Sequence, residues 1–570
     1  MYTKVDQTTM TPGQSSPSTQ TIRFSAALLK EIRRRGIRRV FGVPGRENAA
    51  ILFNEVDGVE YVTSRVEFNA GIAADFAGRL TRKAQVCFST MGPGATNMTT
   101  AIASAMLNHS PLIFISAQLE DNDCLYNLTH QCVDQTSILA PITKWSYELQ
   151  TPQDIIWALD YAFRVSLTEP VGPVHIAIPT NFFSQDIVIT HDIDQPLEQS
   201  IRLPDYEISH TSIAAAHHLL AGSKSPLCLI GEGAIRVGQH KSILAFCREW
   251  HIPFVTAANA KGIAEFDDSL NYGAASPYME GILGFPALEL IYSSVDVLLC
   301  VGYQYVDDLL PKMWTHGRSK SIVSIASTPL FEAHSKINPD VECVGDIGLT
   351  LKALSERGIN IKEERRLETL KQTYRDLVAD QKDIAGTLTP IQIVDVINTH
   401  IGDGILCTDI GYYRHHAILF ATPPDVGHFF TDAGLSTFGS GLPSAIAAQL
   451  EYPEKKVFLM CGDGGFHSGS GDIETLVRYK LPVIIVVGNN NAFELIGLYQ
   501  RRNNAAHNSK ILTFGKVDFA RLAEANGCRG CSVYTRSELE EAIKAHDRQG
   551  PLLIEVAMEY RDREKFRESF

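Results

Sequence analysis

Short apolar segments alternate with amphipathic segments along the whole chain, and this alternation restricts its fold more than any other feature. The apolar segments are rich in Val, Ile and Leu and include RRVFGVP, AQVCFST, PLIFISA, PVHIAIP, VDVLLCVG, KVFLMCGDG and LPVIIVVGNN. Strands of this kind are typical of parallel sheets that are covered by helices on both sides. The pattern therefore predicts an α/β protein built from doubly wound domains with mostly parallel sheets.

The strand-like segments fall into three groups that polar stretches separate. THDIDQPLEQSIRLPDYEISH follows the first group, and the charged stretch NIKEERRLETLKQTYRDL leads into the third. Since domains usually hold about 100–200 residues, three domains suit this chain. We predict a disordered lead-in at residues 1–21, a first domain at 22–190, a central domain at 205–360 and a third domain at 380–560.

Charge and hydropathy restrict the partners. The net charge is −14 and the pI is about 5.7, which argues against a nucleic-acid-binding surface. No uncharged apolar run approaches the ~18–20 residues of a membrane span, and the polar first twenty residues lack the apolar segment of a signal peptide. We expect a cytoplasmic protein without a nucleic-acid or membrane partner.

The eleven cysteines lie mostly in apolar strands, where buried free thiols are the usual state. Cys528 and Cys531 have the spacing of a redox or zinc pair. A second pair and a neighbouring histidine are missing from the sequence around them, which favours an incidental spacing.

A glycine-rich turn in the third group predicts a site for a phosphate group and a cation. In CGDGGFHSGSGDIETL, Asp463 follows an apolar strand. Glycines allow backbone amides to approach an anion, and a helix N-terminus adds positive charge. Asp463 itself would repel a bare phosphate, so Mg²⁺ is the natural intermediary. Asn489, Asn490 and Asn491 end the next strand and can supply a second oxygen ligand. Two ordinary strand-end turns are the simpler alternative.

Glu67 is an isolated acid at a second predicted strand–helix junction, within SRVEFNAG. An acid at this position can simply stabilise the N-terminus of the helix. A glutamate in a dry cleft can also share a proton with a ligand, because burial raises its pKa. The residues alone leave both interpretations open.

The unit of strand, GDG, helix, strand and NN resembles the thiamine diphosphate-dependent enzymes, in particular their pyruvate oxidase/acetohydroxyacid synthase branch. The resemblance spans about residues 22–560. It implies a pyrimidine-binding first domain, a central domain and a last domain that binds the diphosphate. It also implies thiamine diphosphate and Mg²⁺ as cofactors, with the side chains of Asp463 and Asn490 and the backbone oxygen of Ala492 as metal ligands.

Further cofactor contacts follow from the same resemblance. Glu67 would hydrogen-bond the pyrimidine N1′ atom across a subunit interface, which implies a homodimer or homotetramer with active sites between chains. Phe438 takes the place of the apolar wedge between the cofactor rings, although an ordinary core aromatic is an equal alternative. The full set of implied cofactor residues is Glu67, Ile410, Gly411, Tyr412, Tyr413, Thr437, Phe438, Asp463, Gly464, Gly465 and Asn490.

Several long runs resemble one group within this branch, the N2-(2-carboxyethyl)arginine synthases. These runs are NYGAASPYMEGILGFPAL, VGYQYVDDLLPKMW, DIGYYRHHAILFA, GDGGFHSGSGDIETL and LTHQCVDQ. The resemblance implies a synthase that joins a three-carbon unit from glyceraldehyde 3-phosphate, a phosphorylated aldehyde, to arginine or another amine, with loss of phosphate.

The same runs imply roles for individual residues. Arg414 would suit a phosphate leaving group, and histidines could move protons or be structural. The implied catalytic residues are Glu67, His130, Gln131 and His415. The implied substrate contacts are Tyr278, Gln304, Arg414 and His415.

Three positions depart from the family pattern. Gln304 stands where the arginine-coupling group has an acid, Glu494 where a glycine is usual near the diphosphate, and Val66 where a histidine is common. They leave two alternatives open: a 2-oxo-acid decarboxylase/carboligase of the acetohydroxyacid synthase type, and a non-enzymatic partner subunit. FAD is not expected, because GYQYVDDL lacks the arginine of the flavin-dependent run.

Overall fold

The computed structural model describes residues 19–52, 56–120, 126, 130–204, 207–305, 309–314, 319–330, 338–358, 367–381, 386–502 and 509–560. Most of the predicted lead-in, residues 1–18, lies outside these residues. Gln20 and Thr21 belong to a strand that pairs with residues near Ile189, so regular structure starts slightly before the predicted limit at residue 22.

The first sheet has six parallel strands in the order β3-β2-β4-β5-β7-β6, and β4, β5 and β7 are buried throughout. The strands of this region, which include the separate antiparallel pair β1–β8, are β1 Gln20–Arg23, β2 Arg39–Gly42, β3 Glu60–Thr63, β4 Gln85–Ser89, β5 Leu112–Gln118, β6 Trp145–Glu148, β7 Val174–Pro179 and β8 Asp186–Ile189. The helices are Phe24–Arg34, Ala49–Leu52, Glu67–Thr81, Pro93–Asn97, Thr99–Leu107, Gln135–Leu139 and Ile155–Leu167.

The central sheet has the order β11-β10-β9-β12-β13-β14, again all parallel. Its strands are β9 Pro226–Ile230, β10 Phe254–Thr256, β11 Asn271–Ala274, β12 Val297–Val301, β13 Ser321–Ala326 and β14 Val341–Val344. Its helices are His210–Gly222, Glu232–Arg236, His240–Trp250, Met279–Leu283, Ala287–Tyr292, Pro311–Trp314 and Ile347–Ser355, and Leu367–Ala379 follows them.

The third sheet has the order β16-β15-β17-β18-β20-β19. Its strands are β15 Ile405–Thr408, β16 Phe429–Phe430, β17 Val457–Gly462, β18 Ile484–Asn489, β19 Arg529–Val533 and β20 Leu552–Ala557. Its helices are Pro390–Ile401, Tyr412–Phe420, Gly441–Glu451, Asp463–Gly469, Ile473–Arg478, Glu494–Arg502, Ser509–Leu512, Phe519–Ala525 and Arg536–Lys544. The predicted fold class is confirmed: three parallel sheets are each flanked by helices. The exact domain limits stay predictions.

The cysteines of the described residues are free thiols, and most of them are buried. Cys528 is buried just before β19, and Cys531 is half-buried within it. The described residues hold no group of three or more His, Cys, Asp or Glu that could bind a metal ion.

One buried arginine connects the three domains. The Arg79 guanidinium, in helix Glu67–Thr81, lies 3.1 Å from Glu232 Oε1 of the central domain. It also donates to the carbonyl of Thr431, 3.2 Å away, in the third domain. Asn259 donates to Glu232 Oε2 and to the same Thr431 carbonyl. Because these groups are removed from water, each depends on its partners, and breaking the pair is costly.

A second buried polar cluster joins the first domain to the loop before helix Gly441–Glu451. Asp432 accepts from Asn108 Nδ2 at 2.8 Å and from the Thr437 backbone NH at 2.7 Å. Ser104 Oγ donates to Asp75 Oδ2 at 3.1 Å. Burial raises the pKa of Asp75 to about 7, although the neighbouring Arg79 charge lowers it.

We predict that Asp75 makes stability depend on pH. Its pKa in the folded state lies above the ordinary value of 3.8, so the folded state binds this proton more tightly than the unfolded state. The stabilisation is complete below about pH 4 and is lost as pH rises through about 7. Melting temperatures of Asp75→Asn and the parent protein, measured from pH 5 to 8, should therefore shift in favour of the variant with rising pH. Asp403→Asn, at an exposed site, is the control. A constant difference for Asp75→Asn would contradict the prediction.

Candidate active site

A cavity of about 350 Å³ lies at the carboxyl edge of the third sheet. This is the edge at which open α/β sheets bind ligands. Its wall comes from the ends of β17 and β18 and from the segments that follow five strands, β15, β16, β17, β18 and β20. The lining residues are Ile410, Gly411, Tyr412, Tyr413, Phe438, Gly462, Asp463, Gly464, Gly465, Gly488, Asn490, Ala492, Phe493, Glu494, Leu495, Ile496, Met558 and Tyr560. Most of the third-domain residues predicted to hold the cofactor are thus brought together.

Asp463 ties the ends of two neighbouring strands together. It starts helix Asp463–Gly469 directly after β17 and is buried. Its Oδ1 atom accepts the backbone NH of Gly464 at 2.7 Å, and its Oδ2 atom accepts that of Asn490, after β18, at 3.2 Å. Burial raises the pKa of this carboxyl group, and the backbone NH donors lower it. Backbone NH groups therefore hold the carboxylate in place.

The three asparagines after β18 have different positions. Asn489 is buried, and its Nδ2 donates to Glu555 Oε1 at 2.7 Å, within the sheet. Asn490 lines the cavity, and its Nδ2 donates to Glu494 Oε2 at 3.2 Å. Asn491 has a φ of +53° and is not part of the wall described above. Asn490 is therefore the asparagine placed to act as a ligand next to Asp463.

Glycines make the cavity floor because aromatic rings pack directly on them. A Cβ atom at Gly411 would lie 2.4 Å from Tyr413, and one at Gly462 would lie 2.7 Å from the same ring. At Gly464 it would lie 2.8 Å from Phe493 and 3.0 Å from Phe438. A side chain at these positions would collide with the rings as they are placed, so these segments contribute backbone and not side chains to the cavity wall.

Phe438 and Phe493 form the apolar part of the mouth. Their ring centroids are 6.0 Å apart, and each side chain is 41% exposed. Phe438 is therefore not an ordinary core aromatic in this chain. Phe493 was not predicted to be part of the site, because it follows Asn490 and Ala492 but belongs to no sequence motif.

Asp409 supports the turn after β15 and the segment that follows Phe438, and it was also not singled out from the sequence. Its carboxylate accepts the backbone NH groups of Ile410 at 2.6 Å, Gly439 at 3.0 Å and Gly441 at 3.1 Å. Burial raises its pKa to about 6, against the effect of these donors. The sequence feature that could have identified Asp409 is its position as an acid directly after the apolar strand β15.

The residues fit a cation with a diphosphate. Asp463, Asn490 and the Ala492 carbonyl offer oxygen atoms only, which is the donor set that Mg²⁺ prefers. The Ala492 carbonyl already accepts the Glu494 backbone NH at 3.0 Å, and a carbonyl oxygen has a second lone pair. The glycine floor leaves backbone amides accessible to an anion.

The first-domain candidates form a separate group. Glu67 is the first residue of its helix and is half-buried, and its Oε2 atom accepts from Asn97 Nδ2 at 3.0 Å. Gln131, with φ +68°, packs against Gly92, where a Cβ atom would lie 2.8 Å from the Gln131 Cβ. His130 is exposed. Within one chain, none of the three belongs to the cavity wall defined above.

Tyr278 and His415 connect to the cavity through Tyr412. The Tyr278 ring lies 4.4 Å from the His415 ring and 5.7 Å from the Tyr412 ring. His415 Nδ1 lies 2.9 Å from Ser276 Oγ. Burial, and then the charges of Arg414 and His416, hold the pKa of His415 well below its usual range. The imidazole is therefore neutral at pH 7.

The remaining predicted residues lie outside the wall of this cavity. Arg414 is buried, and its Nη1 donates to the Asp432 carbonyl at 3.0 Å. Thr437 is buried next to Asp432. Gln304 Oε1 accepts from Arg236 Nη1 at 3.4 Å. Arg236 also pairs with Glu169, at 2.8 Å, so Gln304 lies near the contact of the first and central domains.

Three family models match the chain. They describe the N-terminal TPP-binding domain of thiamine pyrophosphate enzymes at residues 22–138, the central domain at 213–354 and the C-terminal TPP-binding domain at 409–556. Together they cover well over half of the chain. The chain belongs to the thiamine pyrophosphate enzymes. Thiamine diphosphate is thus the cofactor of the fold, and the third model covers most of the cavity wall described above.

Similar proteins place this enzyme in the acetolactate synthase/pyruvate oxidase branch. Acetolactate synthase from Bacillus subtilis is 27% identical over 538 residues, covering 92% of this chain and 91% of the relative. A probable acetolactate synthase large subunit from Methanocaldococcus jannaschii is 28% identical, covering 94% and 91%. The catabolic acetolactate synthase from Raoultella terrigena is 27% identical, covering 94% and 95%.

Across the part of the chain that the structure describes, no helix combines the length and the apolar character needed to span a bilayer.

We predict that Asp463→Asn weakens cofactor binding without unfolding the domain. The amide oxygen can still accept from a neighbouring backbone NH, but the negative charge that attracts a cation is lost. We expect the Mg²⁺-dependent affinity for thiamine diphosphate to fall by more than about tenfold, since even outer partners of a metal have effects of this size. Fluorescence titration measures the affinity, and circular dichroism checks the fold. Unchanged affinity would show that Asp463 does not hold the cation.

Proposed function

We propose that this enzyme is a carboligase that acts on 2-oxo acids. It would release CO₂ from a 2-oxo acid and join the remaining carbon unit to a second carbonyl compound. The observation that carries the proposal is the similarity to acetolactate synthases over more than nine-tenths of the chain. The cavity supports it, because it combines a glycine floor, Asp463, Asn490 and an apolar mouth.

In this proposal, the third domain holds the cofactor. Asp463 and Asn490 bind Mg²⁺ with their side chains, and Ala492 binds it with its carbonyl oxygen. Gly464 and Gly465 would let the diphosphate approach the backbone, with the Gly464 NH engaged by Asp463, while Phe438 supports the rings. Thiamine diphosphate, when bound, supplies a nucleophilic carbon that can also store the electron pair left by CO₂. FAD is not part of the proposal.

We propose that Glu67 acts on the cofactor of the partner subunit in a homodimer or homotetramer. Its carboxylate is fixed by Asn97 and lies outside the cavity wall of its own chain. A carboxyl group at a dry subunit contact can hold a proton on the pyrimidine N1′ atom. His415, a neutral imidazole held by Ser276, can accept a proton, and His130 and Gln131 would complete the site from the first domain.

A second candidate is a carboxyethyl-amine synthase of the N2-(2-carboxyethyl)arginine synthase type. The sequence runs that resemble this group favour it, and the Arg414 guanidinium, which follows the cavity-lining Tyr412 and Tyr413 in the chain, would be its charge partner for a phosphorylated substrate such as glyceraldehyde 3-phosphate. Tyr278 lies against His415 and could contact the amine. Gln304 accepts from Arg236, so its amide oxygen is engaged at the domain contact. This candidate requires phosphate release and no decarboxylation.

Product analysis distinguishes the two candidates. Purified protein with Mg²⁺ and thiamine diphosphate is supplied with pyruvate or 2-oxobutanoate in one set of reactions. A second set contains glyceraldehyde 3-phosphate and a panel of amino acids. We expect CO₂ and a new 2-hydroxy-3-oxo acid, identified by mass spectrometry, in the first set. Phosphate release with a carboxyethyl amino acid in the second set, and no CO₂ in the first, would replace the proposal with its alternative.

Mixing two inactive variants tests the position of Glu67. We expect Glu67→Ala to lower kcat by about 10²–10⁴-fold, the range for a lost proton-transfer group, while cofactor affinity stays close to that of the parent. If Glu67 acts across the interface, a heterodimer of Glu67→Ala and Asp463→Asn chains contains one intact site and regains activity. If both residues act in the same chain, every site in the mixture carries a substitution, and activity stays lost.

A further inference from the structure

Glu494 lies next to the proposed cation ligand and bridges two side chains. It is the first residue of helix Glu494–Arg502 and lines the cavity. Its Oε2 atom accepts from Asn490 Nδ2 at 3.2 Å. Its Oε1 atom forms a hydrogen-bonded ion pair with Arg501, two turns further along the same helix. Both carboxylate oxygens are therefore engaged.

The hydrogen bond to Asn490 has a chemical consequence. An asparagine amide has two ends of similar shape, an oxygen that can bind a cation and an NH₂ group that cannot. An ionised carboxylate only accepts hydrogen bonds, so it stabilises the orientation in which Nδ2 faces Glu494. Turning the amide around would place Oδ1 against a negative charge. Glu494 thus turns the NH₂ group of Asn490 towards itself and leaves the Oδ1 atom available to bind a cation.

Arg501 offsets the negative charge that Glu494 brings to the cavity. A carboxylate at the N-terminus of a helix interacts favourably with the helix dipole, but it would repel a diphosphate in the same cavity. Glu494 is mostly shielded, with 19% of its side chain exposed, whereas Arg501 is 40% exposed. The guanidinium compensates the charge of Glu494 and leaves its hydrogen bond to Asn490 intact.

We propose that Glu494 is a positioning residue that selects the cation-binding orientation of Asn490, and that Arg501 makes this acid compatible with a diphosphate. This inference rests on the proposed Mg²⁺ site. Glycine is usual at this position in the family that the sequence resembles, so the arrangement is a feature of this chain. Asn489 is held in the same way by a different acid, Glu555, which directs it into the sheet.

Metal and cofactor affinities test the proposal without relying on activity. Mn²⁺ binding is followed by electron paramagnetic resonance in the presence of thiamine diphosphate. We expect Glu494→Ala to weaken Mn²⁺ binding by about 10–100-fold, as found when partners that orient metal ligands are removed. Glu494→Gln should lose less, because its amide oxygen can still accept from Asn490. Glu540→Ala removes an acid of another helix that is paired with Arg536 and should change nothing.

Arg501 is tested in a double-mutant cycle. We expect Arg501→Ala to weaken thiamine diphosphate binding, since Glu494 then faces the diphosphate uncompensated. Glu494→Gln with Arg501→Ala should restore most of this affinity. Circular dichroism checks the fold, and if Glu494→Ala does not fold, Glu494→Gln and Arg501→Ala still test both roles.

The outcomes separate this inference from the function on which it rests. Unchanged Mn²⁺ affinity in Glu494→Ala, or equal losses in Glu494→Ala and Glu494→Gln, would overturn the role of Glu494. Unchanged thiamine diphosphate affinity in Arg501→Ala would overturn the role of Arg501. If Asp463→Asn also binds Mn²⁺ as tightly as the parent, the proposed cation site itself is wrong.

Discussion

The hydrogen bond from the Asn490 backbone to the Asp463 carboxylate is the interaction on which the site depends. It joins the turns after β17 and β18, which are neighbours in the sheet. It also keeps a buried acid from being an unsatisfied charge, which would be strongly destabilising. With these two turns fixed, the glycine floor, the aromatic mouth and Glu494 take their places around one cavity.

Three buried acids of the third domain accept hydrogen bonds from the backbone. Asp409, Asp463 and Glu555 each accept backbone NH groups. The fold already fixes the positions of these backbone NH groups. A carboxylate that accepts from them therefore orders the segment to which they belong. The buried guanidinium of Arg79 acts elsewhere, where it joins the domains.

The sequence predicted the fold class, and it predicted that Asp463 and Asn490 lie close together at the ends of neighbouring strands. Both predictions rest on strand periodicity and strand ends, which are local properties of the sequence. Asn97 beside Glu67, Phe493 over Gly464, and Tyr560 in the cavity wall come from contacts between distant segments, which no local pattern records. Gln304 shows the same limit: the resemblance implied a substrate contact, but its hydrogen bond to Arg236, which follows a different strand, has no local signal in the sequence. The neutral state of His415 depends chiefly on tertiary burial, and the charges of its sequence neighbours Arg414 and His416 add to this effect.

The contact of the three domains at Arg79 restricts how far the domains can move relative to one another. Moving one domain away from another would separate Arg79 from its buried partner Glu232, at a cost of about 3–5 kcal/mol for an uncompensated charge. Motion on the scale of a hinge is therefore expensive within one chain. The exposed rings of Phe438 and Phe493 lie at the mouth of the cavity and can turn without movement of a domain, so access for a small molecule does not require a hinge.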